Sequence, residues 1–234
     1  MLDAYLKPNI PIRQIEHSLF SVFDPDDEGA HYDSIAVIYD RFISSPLYLR
    51  LAWGGSRSKQ IAFIREAFNS QKEGCLLDLA AGSCIDSVYA YAETDRPVIV
   101  VDRSLHMLRR GMERMVSEAG AIPRNVWFLQ ADALSLPILD QKISTVLCHG
   151  AFHLLPSTDV IMGEWRRVLC AKGTTFVSSL VLARWVGDRY LNLLYRSGEV
   201  SEPITSSDLQ RTLSAGMTTE CEVTTVGNFA YARM

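Results

Sequence analysis

Three aspartates each stand at the end of an apolar run. Asp78 lies in "CLLDLA", Asp102 closes "PVIVVD", and Asp132 follows "VWFLQA". Carboxylates in such places can accept hydrogen bonds from the amino, hydroxyl and ring-amine groups of a ligand. After the first run comes "AAGSC", residues 80–84, a loop of small side chains that lets the backbone approach a ligand closely. Asp102 follows Gly82 by about 20 residues, a separation that suits a ribose-bearing ligand. Two histidines, His149 and His153, come after the fourth apolar run, where a general base would stand.

For these residues to share one site, their runs must be neighbouring strands of one sheet. From Cys75 onward the pattern fits. "CLLDLA", "PVIVVD", "VWFLQAD", "ISTVLCHG" and "TTFVSSLVL" read as buried strands. They alternate with the helical stretches "IDSVYAYAE", "SLHMLRRGMERMVSEAG" (opened by Ser104, closed by Gly120) and "DVIMGEWRRVLCAKG", which ends in a glycine stop. Continuously apolar strands alternating with helices specify a parallel sheet covered on both faces. The tail differs: after the helix "SSDLQRTLSAG", the runs "TECEVTTV" and "NFAYARM" are joined too tightly for anything but an antiparallel pair. The expected fold is α/β, a Rossmann-like open sheet of seven strands, mostly parallel with an antiparallel last strand. Ligands of such sheets bind outside the carboxyl ends of the strands.

Residues 1–70 read as a helical cap on a 71–234 body. "IPIRQIEHSLFSVF" has helical spacing, and "DPDDEG" is an acidic turn. In "YDSIAVIYDRFISSPLYLRLAW", Ile35, Ile38, Tyr39 and Phe42 form one stripe with Pro46 as a break. "SRSKQIAFIREAFN" is a short amphipathic helix capped by Ser56 or Ser58.

Composition narrows the partners. The chain has 234 residues, 48% of them apolar, and a net charge of −4, so it has a core but no basic footprint for nucleic acid or an anionic membrane. The start carries no secretory signal, and no run is long enough to span a bilayer. Cys75, Cys84, Cys148, Cys170 and Cys221 are scattered and form no CxxC pair. The reading is reduced structural thiols in a cytoplasmic protein, with no metal site. Monomer and homodimer both stay open.

Two ligand classes fit the strand-end acids: dinucleotides and S-adenosylmethionine. A dinucleotide loop needs G-x-G-x-x-G, and here only Gly82 is present. Asp78 would face a pyrophosphate poorly and suits the ammonium of an amino-acid ligand.

Over roughly residues 75–234 the chain resembles class I S-adenosylmethionine-dependent methyltransferases of the small-molecule "methyltransferase 11" type. "LLDLAAGSCID" is similar to the family's D-x-[GA]-x-G-x-G loop, and "VIVVDRSLHMLRRG" to its second-strand acid with S-x-x-M-L. "LQADALSLPILDQKISTVLCHGAFHLLP" resembles its D-A-x-x-L-P and A-L-H-H-L segments, and "EWRRVLCAKGTTFVSS" its R-V-L-K-P-G-G turn. "YDSIAVIYD" resembles the entry segment of ubiquinone/menaquinone-type C-methyltransferases.

The resemblance implies S-adenosylmethionine as cofactor and assigns roles. Asp78, Ala80 and Gly82 would position the methionine part, and Asp102 would take the ribose hydroxyls. Arg103 and Met107 would flank the adenine, with Asp132 and the Ala133 amide at its amine. His149 would lie near the sulfonium. His153, His149 and the cap residue Tyr39 are the candidates for work on the acceptor, and Tyr32, Arg184 and Trp185 could touch it. The implied reaction is methyl transfer to a small, hydrophobic or aromatic molecule.

Cys84 departs from the family by replacing the last loop glycine. A positive φ there would strain the turn, and the thiol could narrow the pocket. This departure motivates the alternative of a catalytically retired binding or assembly protein. "QKIST" also lacks the usual F-D before the fourth strand.

Overall fold

The computed structural model describes residues 2–24 and 45–234. The expected stripe over Ile35–Phe42, with Tyr32 and Tyr39, lies outside them. Among the described residues nine strands form one sheet: β1 (Arg13–Glu16), β2 (Leu19–Ser21), β3 (Cys75–Leu79), β4 (Val98–Asp102), β5 (Val126–Gln130), β6 (Ile143–Cys148), β7 (Leu169–Leu180), β8 (Glu222–Val226) and β9 (Phe229–Arg233). Their order is β1-β2-β5-β4-β3-β6-β7-β9-β8. Strands β3 to β7 are parallel, and β9 runs against both β7 and β8. The seven expected strands and the reversed last one are therefore present.

The helices are α1 (Pro46–Trp53), α2 (Arg57–Asn69), α3 (Val88–Glu93), α4 (Leu105–Ala119), α5 (Thr158–Val168), α6 (Trp185–Arg196) and α7 (Ser206–Met217). Alternation along the strands feeds two cores, one on each face of the sheet. Leu77, Leu79, Ile99 and Val101 pack with Ile161 and Trp165 of α5 and Leu209 and Leu213 of α7. Leu76, Val98, Val100 and Phe128 pack with Phe63, Ile64 and Phe68 of α2 and Leu108 and Met115 of α4. No helix among the described residues is long and apolar enough to cross a membrane.

Three local expectations are corrected. First, residues 13–21 are a β-hairpin, not a helix, and they raise the strand count to nine. Leu19 is fully buried, and β2 lies parallel to β5, with Phe128 N donating to Ser18 O at 2.8 Å and Val22 N to Gln130 O at 3.1 Å. Ile15 and Leu19 are four apart, a spacing that both periods permit. The open edge of β5 decides between them, because its unpaired backbone groups gain partners from a strand and none from a helix. Second, Pro46 opens α1 rather than breaking a longer helix: Ser45 caps it by accepting from Tyr48 N at 3.3 Å. Third, α5 stops at Val168, and Gly173 lies within β7 rather than at a helix end.

The chemistry-bearing loops are well anchored. Ser104 caps α4 by accepting from Met107 N at 3.1 Å, and Gly120 closes that helix in the left-handed region. Arg96 is buried between α2, β3 and β6. It donates to Phe68 O at 2.7 Å, Gly74 O at 3.2 Å and the hydroxyls of Ser144 and Thr145 at 3.0 and 2.9 Å.

The hairpin assignment is tested by Leu19→Ala. In a packed strand this change should cost about 2–5 kcal/mol in urea unfolding. A loss under about 0.5 kcal/mol, the level of a surface site, would contradict it.

Candidate active site

The three acids do meet at the carboxyl edge. Asp78 pairs in register with Val100 and Leu147, placing it one residue short of the end of β3, while Asp102 ends β4 opposite Gln130. The loop after β3 is held by that second acid. Asp102 Oδ2 accepts from Gly82 N at 2.8 Å and Oδ1 from Ser104 N at 2.9 Å. Ala81 N donates to Val101 O at 3.1 Å. Ala80, Gly82 and Cys84 all sit in the left-handed region, at φ 54°, 55° and 56°. A Cβ built on Gly82 meets nothing within 4 Å, so the turn presents bare backbone to open space.

Asp78 is buried. Tyr91 Oη of α3 donates to its Oδ2 at 2.5 Å, whereas Oδ1 has no hydrogen-bond partner among the described residues. Burial pushes this carboxyl up to about 6, against the downward pull of the Tyr91 hydroxyl, His149 and the Ser87 hydroxyl. Asp132, beyond β5, accepts from Leu134 N at 2.9 Å and pairs with Arg103 at 3.0 Å.

These groups line a cavity of about 830 Å³, within the usual size range for small-molecule sites. Asp78, Ala80, Gly82, Asp102, Arg103, Met107, Asp132, Ala133, His149 and His153 all line it, so the described cofactor candidates and both histidines share one chamber. Arg184 and Trp185 do not. Arg184 lies over Gly54, where a Cβ would sit 1.8 Å from its Nη1, and Trp185 is 70% exposed.

Beyond β3 the wall becomes apolar and aromatic. It includes Leu49, Trp53, Leu180, Tyr190 and Phe229. Trp53 and Tyr190 have ring centroids 5.1 Å apart, and the Tyr48 and Tyr190 hydroxyls are 3.1 Å apart. His149 Nδ1 is 2.9 Å from Ser178 Oγ, which accepts from Gly150 N at 2.7 Å, so the serine proton is free to point at the imidazole. His149 Nε2 lies 3.8 Å from Asp86, whose other oxygen is 2.9 Å from Arg57 Nε. His153 is half-buried. Leu180 N donates to its Nδ1 at 3.2 Å, and burial pushes its pKa down to about 4.

Residues 76–173 match the family profile "Methyltransferase domain". Over those residues the chain carries a methyltransferase domain. Its cofactor is S-adenosylmethionine. A malonyl-[acyl-carrier protein] O-methyltransferase of Hamiltonella defensa subsp. Acyrthosiphon pisum (strain 5AT) is 27% identical over 128 residues, which is 54% of this chain and 46% of that protein. The match thus spans less than half the length of that curated relative. The fold matches the DhpI–SAH complex structure with TM-score 0.61 and 19% identity, over 87% of this chain and 92% of that one. It also matches a candidate S-adenosyl-L-methionine-dependent methyltransferase from Methanococcus maripaludis with TM-score 0.60 and 14% identity, over 90% and 96% of the two chains.

The chemistry of the methyltransferase domain's cavity fits that cofactor. An unpartnered, buried carboxylate oxygen on Asp78 suits a cationic group, and bare loop backbone at Gly82 suits close approach.

Cys84 has the positive φ that its glycine-like position implied, but its thiol does not narrow the methyltransferase cavity. It is buried against α4, where a Cβ on Gly111 would lie 2.8 Å from its Sγ. Burial raises its pKa, which disfavours the thiolate that a nucleophile would need. Asp86 was missed by the sequence reading because "IDSVYAYAE" looks helical throughout. The helix opens only at Val88, which leaves Asp86 in a turn facing the cavity. Tyr91 was hidden in the same apolar pattern.

The packing of Cys84 predicts a coupled pair. Gly111→Ala should destabilise the protein, and Cys84→Gly should recover most of that loss, with a coupling of about 0.5–3 kcal/mol in a double-mutant cycle of urea unfolding. Additive effects would show that the thiol does not occupy the space beside Gly111.

Proposed function

We propose that the protein transfers the methyl group of S-adenosylmethionine to a small hydrophobic or aromatic molecule. The observation that carries this reading is the division of one cavity into an acid-edged half over β3, β4 and β5 and an aromatic half beside β7 and α6. When bound, the cofactor supplies an electrophilic methyl on a sulfonium. The chain's task is to bind, align and exclude water.

In this reading Asp78 Oδ1 takes the ammonium, and Asp102 takes the ribose hydroxyls. Arg103 and Met107 flank the adenine, with Asp132 and the Ala133 amide at its amine. The His149 backbone lies near the sulfonium. Tyr48, Leu49, Trp53 and Gln60 come from the N-terminal part and wall the acceptor half, which supports a capping role for residues 1–70. Five free cysteines support a reducing compartment such as the cytoplasm.

The relative's name specifies a malonyl carboxylate. Among the described lining residues the one lysine or arginine is Arg103, which is paired with Asp132 at the cofactor edge. The aromatic half therefore favours an uncharged acceptor. The retired-enzyme alternative rested on Cys84, and the thiol leaves the cavity open.

A thermal-shift titration tests the cofactor half. S-adenosylhomocysteine at 100 times its Kd should add about 2.7 kcal/mol, a rise of roughly 5–10 °C, with NAD giving none. No rise at millimolar ligand would defeat the reading. Asp102→Ala should weaken S-adenosylhomocysteine binding by about 1–3 kcal/mol, and unchanged affinity would remove the ribose assignment.

Asp78 gives a pH signature. Its folded carboxyl titrates at about 6 against about 4 unfolded. Its proton therefore contributes stability that is present below pH 4 and lost as pH rises through 6. A cofactor ammonium needs the ionised form. Affinity for S-adenosylhomocysteine should accordingly be flat above about pH 7 and fall about tenfold per unit below about 6. Asp78→Asn should abolish that fall; the same fall in the variant would assign it to another group.

A further inference from the structure

Resting on that reading, we infer that His153 is a specificity-determining hydrogen-bond donor to the methyl acceptor rather than its general base. The acceptor would then carry a lone pair, on a ring nitrogen or carbonyl oxygen, beside the atom that is methylated.

The inference starts from the ring's two nitrogens. Leu180 N lies 3.2 Å from Nδ1 and donates to it, so Nδ1 must hold a lone pair. A neutral imidazole with an unprotonated Nδ1 carries its proton on Nε2. To act as a base at Nε2, the ring would first have to move that proton to Nδ1, where it would face the Leu180 N–H. The backbone of β7 thereby fixes the tautomer, much as a partner at one nitrogen fixes a metal-bound histidine. Burial holds the ring neutral over the ordinary pH range. No described residue bonds Nε2, although His153 lines the cavity.

The position of the ring assigns the donor to the acceptor rather than to the cofactor. The acids of the cofactor half stand on β3, on β4 and after β5. His153 is tied to the end of β7, across β6 from them. Leu180 holds the ring there and pairs with Phe229, and both line the cavity with Leu154 and Leu155, while the other neutral donors of the acceptor half, Tyr48, Trp53, Gln60 and Tyr190, come from α1, α2 and α6. Its own carbonyl accepts from Ser201 N at 2.8 Å, so the residue is held at both backbone and ring. A donor held in an apolar wall discriminates strongly, because a ligand without a lone pair leaves it unpaired.

The test uses the full chain saturated with S-adenosylhomocysteine and two bicyclic probes of one shape, quinoline and naphthalene, which differ by a ring-nitrogen lone pair. The wild-type protein should bind quinoline about fivefold more tightly by NMR titration, the net worth of one neutral hydrogen bond. His153→Gln places an amide N–H near the position of Nε2 and should retain a preference. His153→Asn keeps an acceptor for Leu180 N, but its shorter amide brings no N–H to the position of Nε2, and it should bind the probes equally. Histidine ¹⁵N spectra should show the His153 proton on Nε2 and shift when quinoline is added. A proton on Nδ1, equal binding of the probes by wild type, binding of neither, or a preference that survives in His153→Asn would each overturn the inference. Failure of S-adenosylhomocysteine to bind would instead defeat the cofactor reading.

Discussion

One carboxylate ties the ligand-facing edge together. Asp102 receives the amide of Gly82 on one oxygen and that of Ser104 on the other, and so fastens the loop after β3 to the turn before α4. Charge-assisted bonds to backbone amides are strong and directional. They allow the loop to keep three left-handed residues, two of them with side chains, in a row of alternating positions. Without that clamp, Ala80 and Cys84 would relax toward ordinary conformations and the bare backbone at Gly82 would turn away from the cavity. Ser104 spends its amide on Asp102 and its hydroxyl on Met107 N, so the same few atoms also begin α4.

Around this clamp the electrostatics divide the cavity. On the cofactor side the carboxylates differ in state. Asp78 is buried with one oxygen unpartnered and its pKa raised, whereas Asp132 is neutralised by Arg103 at the edge. On the other side, charge is spent within the protein: Asp86 pairs with Arg57 and stands beside His149. Removing one member of such a pair leaves an uncompensated charge at the cavity wall. The remaining wall is mostly aromatic and aliphatic, and His153 is one of its neutral polar points, with Tyr48, Gln60 and Tyr190.

The substitution that set this chain apart from its family's loop has a structural counterpart. Cys84 accepts a glycine-like conformation, and Gly111 on α4 supplies the space for the thiol. The two positions read as one packing unit: a side chain gained at the loop is matched by a side chain absent from the helix. The cavity is unaffected because the thiol points into the core between loop and helix.

Much of this was legible in the chain. Continuously apolar runs separated by helical periods led to the parallel body, the short link at Gly227 and Asn228 to the reversed last strand, and acids at the ends of those runs to the ligand edge. These features are local, since each depends on a few residues and on the chemistry of strands that must be buried. What the sequence left undetermined depended on distant partners. Residues 13–21 became strands because β5 had an open edge. Gly173 joined a strand because β6 lay alongside. Asp86 faces the cavity because a helix started late, and Tyr91 matters because that helix packs its hydroxyl on Asp78. The tautomer of His153 was decided by an amide of β7, 27 residues away. Residue type and spacing determine which groups can do chemistry; only the packed backbone determines which lone pairs and protons remain to do it, because every buried polar group first takes a partner within the fold.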